Sequence, residues 1–200
     1  MIESGGARDL VRVPRPVPKW ALALPVLVVV VAAATGVALT TVGRSSRTPS
    51  VSPGLARVGG TAPAFTSWDL GGKKVSLADF KGHPVLITFW ATWCTACQEE
   101  LPTVQRIRDQ YQSAGFSVLA VNYRETNNSR MSQYLAGLHV NLEAVIDPEG
   151  TIASAYGVDI GLPISVLLAG TGTVVQIWIG AVTSAALETA VGQVARPASP

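Results

Sequence analysis

Val85-Leu86-Ile87-Thr88-Phe89-Trp90-Ala91-Thr92-Trp93-Cys94-Thr95-Ala96-Cys97 runs an apolar strand pattern straight into a Cys-x-x-Cys pair. Behind Cys97, Leu101, Val104, Ile107 and Tyr111 recur at three and four residues up to Gly115, the spacing of a helix with one buried face. The two cysteines therefore stand at a helix start, where unpaired backbone N–H groups favour a thiolate over a thiol. They are the only cysteines in the 200 residues. A thiolate is the nucleophile of disulfide exchange, so the placement points to redox chemistry.

Other uses of the motif fit less well. A zinc site takes four ligands, and His83 and His139 follow no ligand spacing. A purely structural disulfide would enclose almost no chain, and its stabilisation grows with the loop it closes. A peroxidase of the peroxiredoxin type calls for Pro-x-x-x-Thr-x-x-Cys. Pro84 and Thr88 begin that pattern, but Ala91 stands at its end.

Outward from the motif, Phe65 to Leu70 and Lys74 to Leu77 flank Gly71-Gly72 as a short hairpin, and residues 78–82 turn into the strand at Val85. Pro102 lies inside the helix that follows and is expected to kink it. Phe116 to Asn122 reads as a second buried strand, Ser129 to Leu138 as a helix and Leu142 to Ile146 as a strand. Asp147-Pro-Glu-Gly150 then turns into a short helix through Tyr156. Ile164 to Leu168 and Thr173 to Ile179 form an antiparallel hairpin, and Ala185 to Val194 a closing helix. Alternating strands and helices followed by a hairpin and a helix make an α/β layered fold.

The N-terminal part is different. Trp20 to Gly43 carries no charge and is long enough as a helix to cross a hydrocarbon core of about 30 Å. Arg8, Arg12, Arg15 and Lys19 precede it and only Arg44 and Arg47 follow closely, so residues 1–19 are expected in the cytoplasm and the rest outside. The alternative is a cleaved signal peptide ending near Ala32-Ala33-Ala34, with a secreted domain. A lipid anchor finds no cysteine near the segment. Residues 44–60, rich in Ser, Pro and Gly, read as a flexible linker, 61–195 as the domain and 196–200 as a short tail. The net charge of +2 resides in the first 43 residues, and the remainder holds equal numbers of acidic and basic side chains. Such a domain has no electrostatic footprint for nucleic acid.

Beyond the motif, the residues match a known pattern. Ala62-Pro63-Ala64-Phe65, the stretch LADFKGHP over 77–84, FWATWCTACQEELP over 89–102, Asp147 to Gly150, Ala155-Tyr156-Gly157-Val158 and Gly161-Leu162-Pro163 recur together. On these motifs the domain resembles the TlpA/ResA family of membrane-anchored, thioredoxin-like thiol-disulfide oxidoreductases. The resemblance implies a thioredoxin-like fold: a central mixed sheet flanked by helices, with an added N-terminal hairpin and a strand-helix unit inserted between Asn122 and Asp147.

It also implies roles. Cys94 is the exposed, attacking thiol and Cys97 releases the mixed disulfide. Pro163 matches the family's cis-proline, with Leu162 before it on a backbone that pairs with an extended substrate. Glu100 matches an acidic residue near the dithiol, and two readings stay open for it: proton transfer for Cys97, or electrostatic support of the helix start. Trp90 and Trp93 read as packing and site lining. Three positions depart from the family pattern. Ala96 replaces a common proline, Thr88 stands where the family often has Asn, and Ala169 to Gly172 replaces an acid-containing turn. No cofactor is expected beyond the Cys94–Cys97 couple itself.

The implied activity is extracytoplasmic reduction of protein disulfides, with apocytochrome c haem-site cysteines a suggested substrate. Exported cysteine-containing proteins and a membrane thiol transporter of the CcdA or DsbD kind are the implied partners. Two other functions compete: a disulfide-forming oxidase or isomerase of the same fold, and a copper- or haem-handling binding module, for which no further ligand stands out near the cysteines.

Overall fold

The structure, a computed structural model, describes residues 49–195. The expected tail 1–19, the span 20–43, the first residues of the linker and the tail 196–200 lie outside the described residues. Among the described residues no helix is long and apolar enough to cross a membrane.

A five-stranded sheet organises the domain. Its strands are β4 (Val85–Trp90), β5 (Ser117–Tyr123), β6 (Glu143–Asp147), β7 (Ile164–Leu168) and β8 (Val174–Ile179), and their order across the sheet is β6-β5-β4-β7-β8. β4, β5 and β6 are parallel, β7 runs antiparallel to β4, and β8 runs antiparallel to β7 and so in the direction of the first three. Every residue of β4 is buried, as a run apolar but for Thr88 requires of a central strand covered on both faces. Leu86 and Trp90 point to one face of the sheet, and Val85, Ile87 and Phe89 to the other.

The first face is covered by α1 (Thr95–Tyr111) and α4 (Ser184–Val194), whose Leu101, Val104, Ile107, Leu187 and Val191 fill the layer. α2 (Asn128–Gly137) adds Met131 and Leu135 to the same layer. The second face packs against Phe65, Ala62 and Ala56 and against Ile152, Ala153 and Tyr156 of the region around α3 (Thr151–Ala155). The inserted unit expected between Asn122 and Asp147 is α2 with β6. The thioredoxin-like α/β fold stands.

Local chemistry explains most element ends. Asn127 caps α2 by accepting the Arg130 N–H, and Thr183 caps α4 by accepting the Ala186 N–H. Asp147 ends β6 and is fully buried, accepting the N–H groups of Ile152 and Ala153 at 3.2 and 2.8 Å. Burial pushes its carboxyl up from the ordinary value, against the lowering pull of those amides and of Thr151.

Pro102 lies inside α1, which spans Thr95 to Tyr111 without a break. One expectation changes. The N-terminal hairpin, β2 (Phe65–Trp68) with β3 (Lys74–Ser76), is joined by a further strand, β1 (Ser50–Val51), paired to β2. The described part of the linker is thus docked. Ala56 is buried and its N–H reaches Ala155 O, while Gly59 N–H reaches Val174 O at the edge strand. Serine- and proline-rich composition revealed the absence of a period, but not that the backbone groups of this stretch find partners in the domain.

Candidate active site

β4 ends at Trp90, and the chain turns through Ala91, Thr92 and Trp93 into α1. The turn is closed by Cys94 N–H on Ala91 O at 3.1 Å. Cys94 is the N-cap residue of α1: its backbone is extended and its Sγ accepts the Cys97 N–H at 3.1 Å. The helix start therefore delivers an otherwise unpaired donor onto this sulfur, an arrangement that stabilises negative charge there. Cys94 and Cys97 are joined as a disulfide with an S–S distance of 2.01 Å.

Accessibility is graded across the motif. Trp93 is 60% exposed, Cys94 6% and Cys97 1%. Cys94 is the more accessible sulfur of the two, but it is not the exposed thiol expected, because in the disulfide it belongs to the apolar layer with Trp90, Leu101 and Leu187. Trp90 is wholly buried and donates Nε1–H to Ala120 O at 3.1 Å, so it is a packing residue. Trp93 packs on nothing in the core and stands beside the cysteine as a free aromatic surface.

The loop before β7 comes to the same end of the sheet. Phe89 is paired with Ile164, which places Pro163 beside the end of β4, and the Leu162–Pro163 bond is cis. Leu162 and Ala96 pack against the layer that contains both cysteines, as does Trp178 of β8.

Glu100 lies three residues after Cys97 and so on the same face of α1. It is 3% exposed, not in the first helical turn, and its Oε1 accepts a hydrogen bond from Ser165 Oγ at 3.0 Å. Ser165 Oγ is also 3.0 Å from Thr88 Oγ1. Thr88 and Ser165 are register partners on β4 and β7, both facing the α1 side of the sheet. Oε2 of Glu100 has no hydrogen-bond partner. Burial pushes this carboxyl up to about 7, against the Ser165 hydroxyl and the approaching Val182 backbone, which pull it down. A helix-start charge is exposed and near the first N–H groups, so that reading of Glu100 is set aside. A buried carboxyl poised near neutral pH is a proton donor and acceptor.

A second carboxylate flanks the motif from the loop that follows β5. Glu125 Oε2 accepts the Thr92 N–H and an Asn122 Nδ2–H, both at 2.8 Å, and Oε1 accepts the Thr92 hydroxyl at 2.6 Å. Burial pushes Glu125 up, but the Thr92 hydroxyl, Asn122, the Thr92 amide and Arg130 outweigh it and hold the carboxyl below its ordinary value. Tyr134 stacks on Trp90 at 5.6 Å, and burial with the nearby Glu125 charge pushes its hydroxyl up.

The sequence reading puts Cys94, Cys97, Glu100, Trp93, Leu162 and Pro163 in one neighbourhood, and the fold brings all six to one end of the sheet. It missed Ser165 and Glu125. A lone serine inside the apolar run Ile164 to Leu168 was a usable signal, because a buried hydroxyl needs a partner. Glu125 gave none, since a loop carboxylate is ordinarily solvated.

Residues 58–177 match the sequence profile of the AhpC/TSA family. The chain is 36% identical over 131 residues to the thiol-disulfide oxidoreductase ResA of Bacillus thuringiensis subsp. konkukian (strain 97-27), a match covering 66% of this chain and 75% of that protein. With ResA of Bacillus subtilis (strain 168) it shares 33% over 125 residues, 62% of this chain and 69% of that one. Among solved structures, a putative thiol:disulfide interchange protein DsbE from Chlorobium tepidum superposes with a TM-score of 0.65 at 29% identity. That match covers 70% of this chain and 99% of the other.

Proposed function

The chain belongs to the AhpC/TSA family and, within it, to the ResA-like thiol-disulfide oxidoreductases, and from that premise we propose that it is an extracytoplasmic, membrane-tethered reductase of protein disulfides. Cys94 is the attacking thiol and Cys97 the resolving one. The Cys94 thiolate attacks one sulfur of a substrate disulfide, forming the mixed disulfide and releasing the other substrate sulfur as a thiolate. Cys97 then gives its proton to Glu100 and attacks Cys94 Sγ. The Cys94–Cys97 disulfide forms, the second substrate thiol leaves, and two electrons have passed to the substrate.

The observation that carries this direction is the buried carboxyl of Glu100 on the Cys97 face of α1. A strong oxidant of this chemistry has a reduced form stabilised by an easily formed thiolate. A carboxylate sealed in one helical turn from the resolving thiol opposes a second negative charge, destabilises the reduced form and makes the dithiol a donor. Trp93, Leu162 and Pro163 line the approach to Cys94.

Residues 1–19 are cytoplasmic and 20–43 cross the membrane, on the support of the Arg and Lys bias ahead of Trp20. The substrates are exported proteins with paired cysteines, the haem-site cysteines of apocytochrome c among them. With only two cysteines in the chain, electrons reach the domain from a membrane thiol transporter of the CcdA or DsbD kind.

The deciding experiment is the midpoint potential of the Cys94–Cys97 couple. A value at or below that of thioredoxin, about −270 mV, supports the reductase. A value near about −120 mV, the range of a dedicated oxidant, would assign the protein to disulfide formation.

A further inference from the structure

The turn that carries the attacking sulfur has few anchors of its own. Ala91 is buried at the end of β4 and Cys94 is held by the start of α1, but Trp93 between them is 60% exposed and is no part of the apolar core. Thr92 is therefore the residue on which the middle of the turn depends, and Thr92 is held by a residue 33 positions away in sequence.

We infer that Glu125 is a positioning residue for the dithiol: its carboxylate grips Thr92 by both amide and hydroxyl and fixes the turn from Ala91 to Cys94 for attack. Three donors converge on this one side chain, namely the Thr92 N–H, the Thr92 O–H and the Asn122 Nδ2–H. Only a carboxylate, which accepts and does not donate, satisfies all three without turning a donor toward a donor. Hydrogen bonds to a charged acceptor are about twice as strong as neutral ones, so the grip suffices to hold the middle of a turn whose two ends, Ala91 and Cys94, are anchored in the apolar layer.

Glu125 is itself held from two sides. Asn122 is fully buried on β5, and Arg124, at a φ of 56°, takes the left-handed conformation that turns the chain back over the end of the sheet. Arg124 N–H closes that turn on Asp147 O at the end of β6. The position of Thr92, and through it of Cys94, is thereby tied to β5 and β6 as well as to β4. Glu100 and Glu125 divide the work: the carboxyl that is sealed in trades protons, and the one with many donors stays in place.

This inference rests on the reading of Cys94 as the attacking thiol, and the test keeps the two apart. The reduced wild-type protein is treated with an alkylating reagent at alkaline pH, where the thiols are ionised, and the labelled cysteine is identified by mass spectrometry. The rate of exchange with a small disulfide is then compared in wild type, Glu125→Ala, Thr92→Val, Thr92→Ser and the Glu125→Ala/Thr92→Val double variant. The expected result is labelling of Cys94, an exchange rate lowered about tenfold in Glu125→Ala and less in Thr92→Val, and full recovery in Thr92→Ser. The double variant should be no slower than Glu125→Ala alone, because both changes break one grip. Unchanged rates, or losses that multiply in the double variant, would overturn the positioning role. Should Glu125→Ala not fold, the contrast between Thr92→Val and Thr92→Ser still decides it. Label on Cys97 in the wild-type protein would instead remove the assignment of Cys94, and the positioning role with it.

Discussion

Ser165 Oγ stands 3.0 Å from Glu100 Oε1, across 65 residues of sequence, and joins the one buried carboxyl of α1 to a hydroxyl pair on the central sheet. The serine has one proton to give. When Glu100 is ionised that proton points to the carboxylate and the Thr88 hydroxyl can donate to Ser165. When Glu100 is protonated it donates to Ser165, which then donates to Thr88. The site can thus take up and release a proton by reversing a short chain of hydroxyls, with no side chain leaving its place.

Glu100 should leave a mark on stability. The folded protein keeps its proton up to about pH 7, and the unfolded chain releases it near the ordinary value of 4.5. The stabilising contribution is complete below 4.5 and is lost as pH rises through 7, amounting to about 3 kcal/mol at most. Denaturant unfolding of the oxidised protein across this window should show that decline, and Glu100→Gln should flatten it. An equally steep decline in Glu100→Gln would assign the effect to other groups.

Ser165→Ala removes a hydrogen bond that pulls the Glu100 carboxyl down, so the carboxyl should hold its proton to still higher pH. The pH at which the stability decline ends should move upward. Resolution of the mixed disulfide at neutral pH should slow as well, because less of the proton acceptor is in its ionised form. Stopped-flow release of the second substrate thiol measures that step.

Removal of the resolving sulfur should trap partners. In Cys97→Ala the Cys94 thiolate can still attack, but no internal thiol displaces the substrate. Covalent adducts should accumulate in membranes under non-reducing conditions, and mass spectrometry should find them joined through Cys94 to exported cysteine proteins. Recovery of adducts only with a disulfide-generating oxidase would turn the proposed direction around.

Asp147 is a buried carboxyl with a structural task. Fully buried, it satisfies two N–H groups at the start of α3 and accepts a bond from the Thr151 hydroxyl. Asp147→Ala would leave those donors buried without partners. The expected loss is about 2 kcal/mol of folding stability, read from chemical denaturation, with the exchange chemistry of Cys94 retained in the folded fraction.

Much of this molecule is local in origin and was readable in its order of residues. The run Val85 to Trp90, apolar but for Thr88, identifies a central strand, since only a strand covered on both faces tolerates it. The spacing of Leu101, Val104 and Ile107 identifies the helix that follows. Cys94 and Cys97, three apart at the junction of the two, are brought together by a single helical turn and need nothing from the rest of the chain. The chemistry of the couple is accordingly visible at the motif itself.

The tertiary structure decided everything that depends on partners distant in sequence. Glu100 looked equally like a helix-start charge and an acid. Only the packing of α1 over β4 and β7 buries it against Ser165 and pushes its carboxyl toward neutrality. Thr88 and Ser165 become neighbours because β4 and β7 pair antiparallel in one register, and Glu125 reaches Thr92 because β5 lies beside β4. A polar residue in an apolar run announces that a partner is needed, but the identity of that partner is set by strand order and register. Those are properties of the whole sheet, fixed by how its two faces are covered, and no stretch of the sequence carries them alone.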